Sequence, residues 1–370
     1  MGINTIEAFF ALIRGGLWEQ EVNLSSYGEV DFSEVYRLAE EQSVIGLVAA
    51  GLEHVTDVKL PKEEVLQLVG YTLQLEQQNK AMNLFIASLI SRMRAADIYT
   101  ILVKGQGVAQ CYERPLWRAS GDIDLLLSED NYSRAKRYLI PLATSVEEEN
   151  TQSLHLGMTM DSWVVELHGS LRSCSLSRMD KVIDDVQRSI FLDGNVRSWN
   201  NNSIQVFLPS FNNDVFLIFT HIIKHFFHEG VGLRQVCDWC RLLWTFRDTI
   251  DIDLLEKRIK KAGLLTEWRA LATLAVVELG MPVEAMPLYE AKKLINKADR
   301  IKSFIIATGN FGQNRDFSYY HNPSLIKRKS ISLLRHTSDT MERLMIFPLD
   351  TILVWNRMFF EGIKDVFKNR

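Results

Sequence analysis

The chain has 370 residues, 47% of them hydrophobic and 24% charged, the composition of a soluble globular protein with room for two or three domains around a large core. Its formal net charge of -4 argues against a generally basic nucleic-acid-binding surface. Four cysteines (Cys111, Cys174, Cys237 and Cys240) are too few for a disulfide scaffold and predict a reducing, cytoplasmic setting.

Residues 1–97 read as helical. Phe9, Phe10, Leu12, Ile13 and Leu17 recur at helical spacing. The start of the chain shows neither a basic leader nor a cleavage site, and Ile6 breaks the myristoylation pattern that Gly2 would open. A second helix is expected from Glu34 to Ala50, with Asp31 or Ser33 as its cap. Pro61 then opens a long helical stretch to about Ala96, as one helix or two.

The pattern changes at Ile98. Tyr99 to Val103 is apolar and partly β-branched and stops at Lys104-Gly105, the mark of a strand entering a tight turn. Gly107 to Tyr112 suits a short helix, which Pro115 ends. Ile123 to Leu127 is the next strand, and a helix follows from Asp130 to Ile140. Trp163 to Leu167 is a third strand with Met158 to Met160 as its hairpin partner, and Gln205 to Leu208 is a fourth. From Asn213 the helical period returns as far as Leu279, with Gly280 as a stop, and the remainder is helical with a basic entry at Lys327-Arg328-Lys329. The most apolar run, Val215 to Phe227, is interrupted by His221, Lys224 and His225, and is too short and polar to span a bilayer. These readings divide the chain into an N-terminal helical region (1–97), an α/β core (98–210) and a C-terminal helical region (211–370).

The chemistry concentrates in the core. Strand side chains alternate, so Asp122 and Asp124 share one face, and Glu166 on another strand can complete a cluster. Three converging carboxylates form a hard-oxygen cage for magnesium, which usually holds phosphates too. Gly105 and Gly107 let backbone amides approach phosphate oxygens. Lys104 and Arg118 are candidate phosphate ligands. His168 shares the face of Glu166 and could order it or contact substrate. The plain alternatives are a capping turn for the aspartates, a surface ion pair for Lys104 and Arg118, and a structural histidine for His168.

His221, His225 and His228 lie on one helical face ahead of Cys237-x-x-Cys240. Zinc is disfavoured, because both parts sit in helices without a knuckle turn. Two readings stay open. The helix lines the cleft opposite the carboxylates, with His225, Arg234 or Asp238 binding acceptor or nucleotide; or it is plain packing with Arg234 and Asp238 as an i,i+4 pair.

The ordered set Lys104-Gly105, Pro115-Leu-Trp-Arg118-Ala-Ser-Gly121-Asp122-Ile-Asp124-Leu-Leu and Glu166-Leu-His168 resembles an uncharacterised nucleotidyltransferase-like family of the DNA polymerase beta superfamily, frequent in Bacteroides-type bacteria. His221 to His228 and Leu233 to Asp238 are similar to that family's C-terminal region. The resemblance implies an α+β fold: a small mixed β-sheet nucleotidyltransferase core flanked by helical regions on both sides. It also implies two magnesium ions held by Asp122, Asp124 and Glu166, and a nucleoside triphosphate, ATP as the expected one, held by Lys104, Gly105, Gln106, Gly107, Arg118 and Gly121. A nucleoside monophosphate would pass to a small-molecule or protein hydroxyl near His168, His225, Arg234 and Asp238. The alternative is a catalytically silent nucleotide-binding, regulatory or toxin–antitoxin module on the same fold. The wider superfamily has Gly-Ser or Gly-Gly in the first motif, where this chain has Gly105-Gln106.

Overall fold

The computed structural model describes residues 3–173, 175–291, 293–312, 314 and 339–368. The N-terminal region holds α1 (Ile3–Trp18), α2 (Phe32–Glu41), α3 (Ile45–Glu53) and the long α4 (Lys62–Ala95). Asp31 caps α2 by accepting the Glu34 N–H. The single helix expected from Glu34 to Ala50 is two helices, because the chain turns at Ser43, which holds a φ of 54°. Glycines let α1 and α3 approach closely. A Cβ at Gly16 would strike the Leu47 carbonyl, and one at Gly51 the Leu12 carbonyl.

The core carries β1 (Ile101–Val103), α5 (Gly105–Ala109), β2 (Asp122–Leu126), α6 (Glu129–Leu139), β3 (Ser145–Val146), β4 (His155–Met160) and β5 (Trp163–His168). These strands form one mixed sheet in the order β1-β2-β5-β4-β3. The β2–β5 pair is parallel and its neighbours are antiparallel. One face, with Leu102, Ile123, Leu125, Leu156, Met158, Val165 and Leu167, packs on α4 and α6 as a buried apolar layer. After α7 (Ser177–Leu192), β6 (Val196–Asn201) and β7 (Ile204–Pro209) make a separate two-stranded sheet. Its turn residues Asn202 and Ser203 both have positive φ, as a tight hairpin requires.

The C-terminal region comprises α8 (Phe211–Phe227), α9 (Leu233–Thr245), α10 (Ile252–Ala262), α11 (Leu265–Val277), α12 (Ile295–Thr308), α13 (339–346) and α14 (Pro348–Lys368). Asp251 caps α10, and Gly263 ends it in the left-handed conformation. The fold is thus α+β, a small mixed sheet among many helices. One contiguous hydrophobic core joins α1–α3, the edge of the sheet around Ile101, Val103 and Leu126, and helices α7 to α14. Lys327-Arg328-Lys329 and Cys174 lie outside the described residues. No described helix is long and apolar enough to cross a membrane.

Candidate active site

The second face of the sheet is polar where β2, β5 and β4 adjoin. The register sets Asp124 opposite Glu166, with Asp122 two residues earlier on the same face. Ligating oxygens of Asp122, Asp124 and Glu166 lie within 4.8 Å of one another. Asp124 is almost fully buried, and its Oδ1 accepts from Lys104 Nζ at 2.9 Å and lies 2.7 Å from His168 Nε2. His155, on β4 directly opposite His168, places Nε2 3.1 Å from Glu166 Oε2.

The electrostatics follow from crowding. The Asp124 charge, and then burial, push the Asp122 carboxyl above the usual carboxylate range. Burial acts on Asp124 in the same direction, but Lys104 and His168 outweigh it and hold that carboxyl low. Burial also opposes ionisation of Glu166, yet bonds to His155 and His168 keep it well below the ordinary value. His168 is raised, since its bonds to Asp124 and Glu166 overcome the burial that disfavours imidazolium. A hard divalent cation suits this donor set: three oxygens converge, and Asp122 is left bearing the charge of its neighbour Asp124.

Lys104 reaches Asp124 from a strained backbone. It leaves β1 with φ 58° and ψ -147°, a conformation that costs a non-glycine residue about 1–3 kcal/mol. Gly105 follows at φ 42° and lines the cleft. The next two residues turn away. Gln106 is buried, and its amide donates to Asn79 Oδ1 on α4 at 2.7 Å. A side chain at Gly107 would meet Leu208 of β7, not the cleft. Of the expected Lys104–Gly107 cradle, only Lys104 and Gly105 line the cavity. Gly121 is not among the cavity-lining residues, and its Cα faces open space.

The opposite wall is α8 and α9. The cavity between wall and sheet is about 370 Å³, within the range of small-molecule sites. His221, Lys224 and His225 of α8, and Arg234 and Asp238 of α9, line it. Burial, then the Lys104 charge, drives His221 well below the imidazole range and lowers Lys224. His225 Nδ1 lies 2.7 Å from Glu229, while His228, off the cavity lining, places Nε2 2.7 Å from the buried Ser175 Oγ. Cys237 and Cys240 are buried, and among the described residues they join no cluster of metal-binding side chains.

Arg234 and Asp238 do not pair with each other. Asp238 takes the guanidinium fork of Arg118 at 3.0 and 2.6 Å and the Tyr112 hydroxyl at 2.8 Å. Arg234 donates to the Ala119 carbonyl at 2.8 Å, and Arg241 donates to the carbonyls of Cys111 and Leu17. One face of α9 thereby clamps the segment that leads into β2. Arg118 and Asp238, expected at the nucleotide and the acceptor, are bonded first to each other.

His155 and Lys224 are among the cleft residues that reading the sequence missed. The alternation His155-Leu-Gly-Met-Thr-Met160 was the available signal for the first. For the second it was the clustering of His221, Lys224 and His225 within an otherwise apolar helix.

Fold and cleft together define an α+β protein with a carboxylate-centred site on the face of a mixed sheet. The chain belongs to a family described as uncharacterised nucleotidyltransferase, whose model matches residues 28–280. Among curated proteins none matches. A crystal structure of an antigenic nucleotidyltransferase-like protein from Paracoccidioides brasiliensis is similar at 12% identity and a TM-score of 0.34, over 58% of this chain and 96% of that one. A likeness at that level carries no weight for the site.

Proposed function

We propose that the protein is a magnesium-dependent nucleotidyltransferase that moves a nucleoside monophosphate from a nucleoside triphosphate, ATP as the expected donor, to a hydroxyl of a small molecule or protein. The observation that carries this reading is the meeting of Asp122, Asp124 and Glu166 within 4.8 Å on one sheet face, below a cationic helical wall. Those carboxylates would hold the cations, which when bound would polarise the attacked phosphorus and neutralise charge on the leaving pyrophosphate.

The remaining roles belong to the chain. Lys104 keeps Asp124 ionised and brings positive charge to the phosphate side. The first bonds of α5 are donated by Gly107 and Val108 to the Lys104 carbonyl, so the Gly105 amide precedes the helical ladder and, on the cavity wall, can face phosphate oxygens. His168 orients Asp124 and Glu166. Glu166 is the candidate acceptor of the hydroxyl proton as the new P–O bond forms and the bond to pyrophosphate breaks. Lys224, which has no bonded partner among the described residues, is placed to attract the anionic substrate. Arg118, Arg234 and Asp238 act by fixing the segment before β2.

The inward turn of Gln106 favours a second reading, a catalytically silent nucleotide-binding or regulatory module. Incubation of a lysate with α-labelled triphosphates and magnesium separates the two. The proposed activity predicts a labelled component that is absent with the Asp122→Asn/Asp124→Asn protein. No label transfer beside retained nucleotide binding would support the silent module.

A further inference from the structure

A second donor group shares the sheet face. Nitrogen atoms of His155 and His168 and an oxygen of Glu166 also lie within 4.8 Å of one another. The register explains the grouping: His155 and His168 are directly opposed on antiparallel β4 and β5, and Glu166 is two residues along on the same face. Their rings stand 4.9 Å apart at 42°, and His168 Nε2 is 3.4 Å from Glu166 Oε2. The side chains of His155 and Glu166 are 31% and 27% exposed, so the group opens toward the cleft, not into the core.

We infer that His155, Glu166 and His168 form a mixed nitrogen–oxygen site for a borderline divalent transition cation, such as Zn2+, Co2+ or Fe2+. Magnesium takes oxygen ligands, and imidazole nitrogen suits later first-row metals. Two histidines and one carboxylate, open on one side, are a donor set that leaves positions for a substrate atom. Glu166 belongs to this group and to the Asp122–Asp124 group, and its two oxygens allow one carboxylate to serve both. The inference deepens the proposed function, since it rests on Glu166 facing the same cleft. It makes one of the two cations chemically distinct from magnesium.

The test uses the full chain and Co2+ as an optical probe in excess Mg2+. The expected result is a visible ligand-field band that saturates at one Co2+ per chain and resists magnesium. His155→Gln and His168→Gln should weaken it roughly tenfold or more, and Asp122→Asn should leave it in place. X-ray absorption of the wild-type chain loaded with one equivalent of Zn2+ guards against misfolded variants, and two imidazole nitrogens are expected. Competition by magnesium, indifference to both histidine variants, or a zinc shell without imidazole would overturn the inference. A nitrogen-bound cation without label transfer would sink the transferase reading alone. Label transfer with magnesium and no nitrogen ligation would sink this inference alone.

Discussion

Asp124 sits almost out of solvent with an ammonium and an imidazole on one oxygen. That arrangement keeps a buried carboxylate charged and leaves its neighbour Asp122 to bear the repulsion. Arg118 and Asp238 show the same principle in a bonded pair on the cavity wall, both nearly inaccessible to water. Removing one partner strands a buried charge, at a cost of about 3–5 kcal/mol, whereas an apolar pair of similar volume is often neutral. Arg118→Met should therefore lower the urea midpoint sharply, and Arg118→Met/Asp238→Leu should recover most of the loss. A double variant no more stable than the single one would mean that the pair is not what holds this segment. Lys224→Ala belongs to the same scale. It should raise KM for the triphosphate with little change in kcat, and steady-state kinetics that show the reverse would place Lys224 in the chemical step instead.

At the scale of elements, α9 is the fixture around which the site is built. Its residues 234, 238 and 241 recur on one face and bond to residues 111–119 or to α1. Helix α3 presses on the same segment, since a Cβ on Gly46 would strike the Trp117 carbonyl. Gly46→Ala should thus cost about 1–3 kcal/mol through displaced backbone and loosen cation binding at the aspartates. Calorimetric unfolding and metal titration read the two effects, and an unperturbed variant would show that the contact is slack. Strands β2 and β5 were legible in the sequence because each is a short apolar run carrying polar residues two apart, so Asp122, Asp124 and Glu166 could be assigned to faces before their adjacency was known. The parallel pairing that brings them together is a long-range choice that no local pattern encodes. Strand β6, Val-Arg-Ser-Trp-Asn-Asn, has no apolar alternation, β3 is two residues long, and both escaped the reading. Gln106 was misplaced for a related reason. Its direction is set by Asn79 on α4, far away in sequence, while the local motif suggests a phosphate loop.

Across the whole molecule, buried polar contacts tie the helical regions to one another. The Gln42 amide, fully buried, donates to Ile305 of α12 and accepts from the Leu233 N–H at the start of α9. Glu267 on α11 lies against Asp350 of α14, which also pairs with Arg178 of α7. Burial, then the Asp350 charge, pushes the Glu267 carboxyl from the ordinary value of 4.5 up to about 8. The folded chain then holds a proton that the unfolded chain releases near pH 4.5. Stability contributed at this position is complete below that pH and falls as pH rises toward 8. Urea midpoints at pH 5 and 8 should differ less in Glu267→Gln than in the wild type, and an equal slope in both would remove the group from the account. The carboxylate cluster itself is tested most directly by equilibrium binding of a nucleoside triphosphate with magnesium, wild type beside Asp122→Asn/Asp124→Asn. Cation-bridged phosphate recognition predicts a loss of roughly a hundredfold or more in affinity for the double variant, with magnesium dependence abolished. Equal affinity in the two proteins, with or without magnesium, would contradict it.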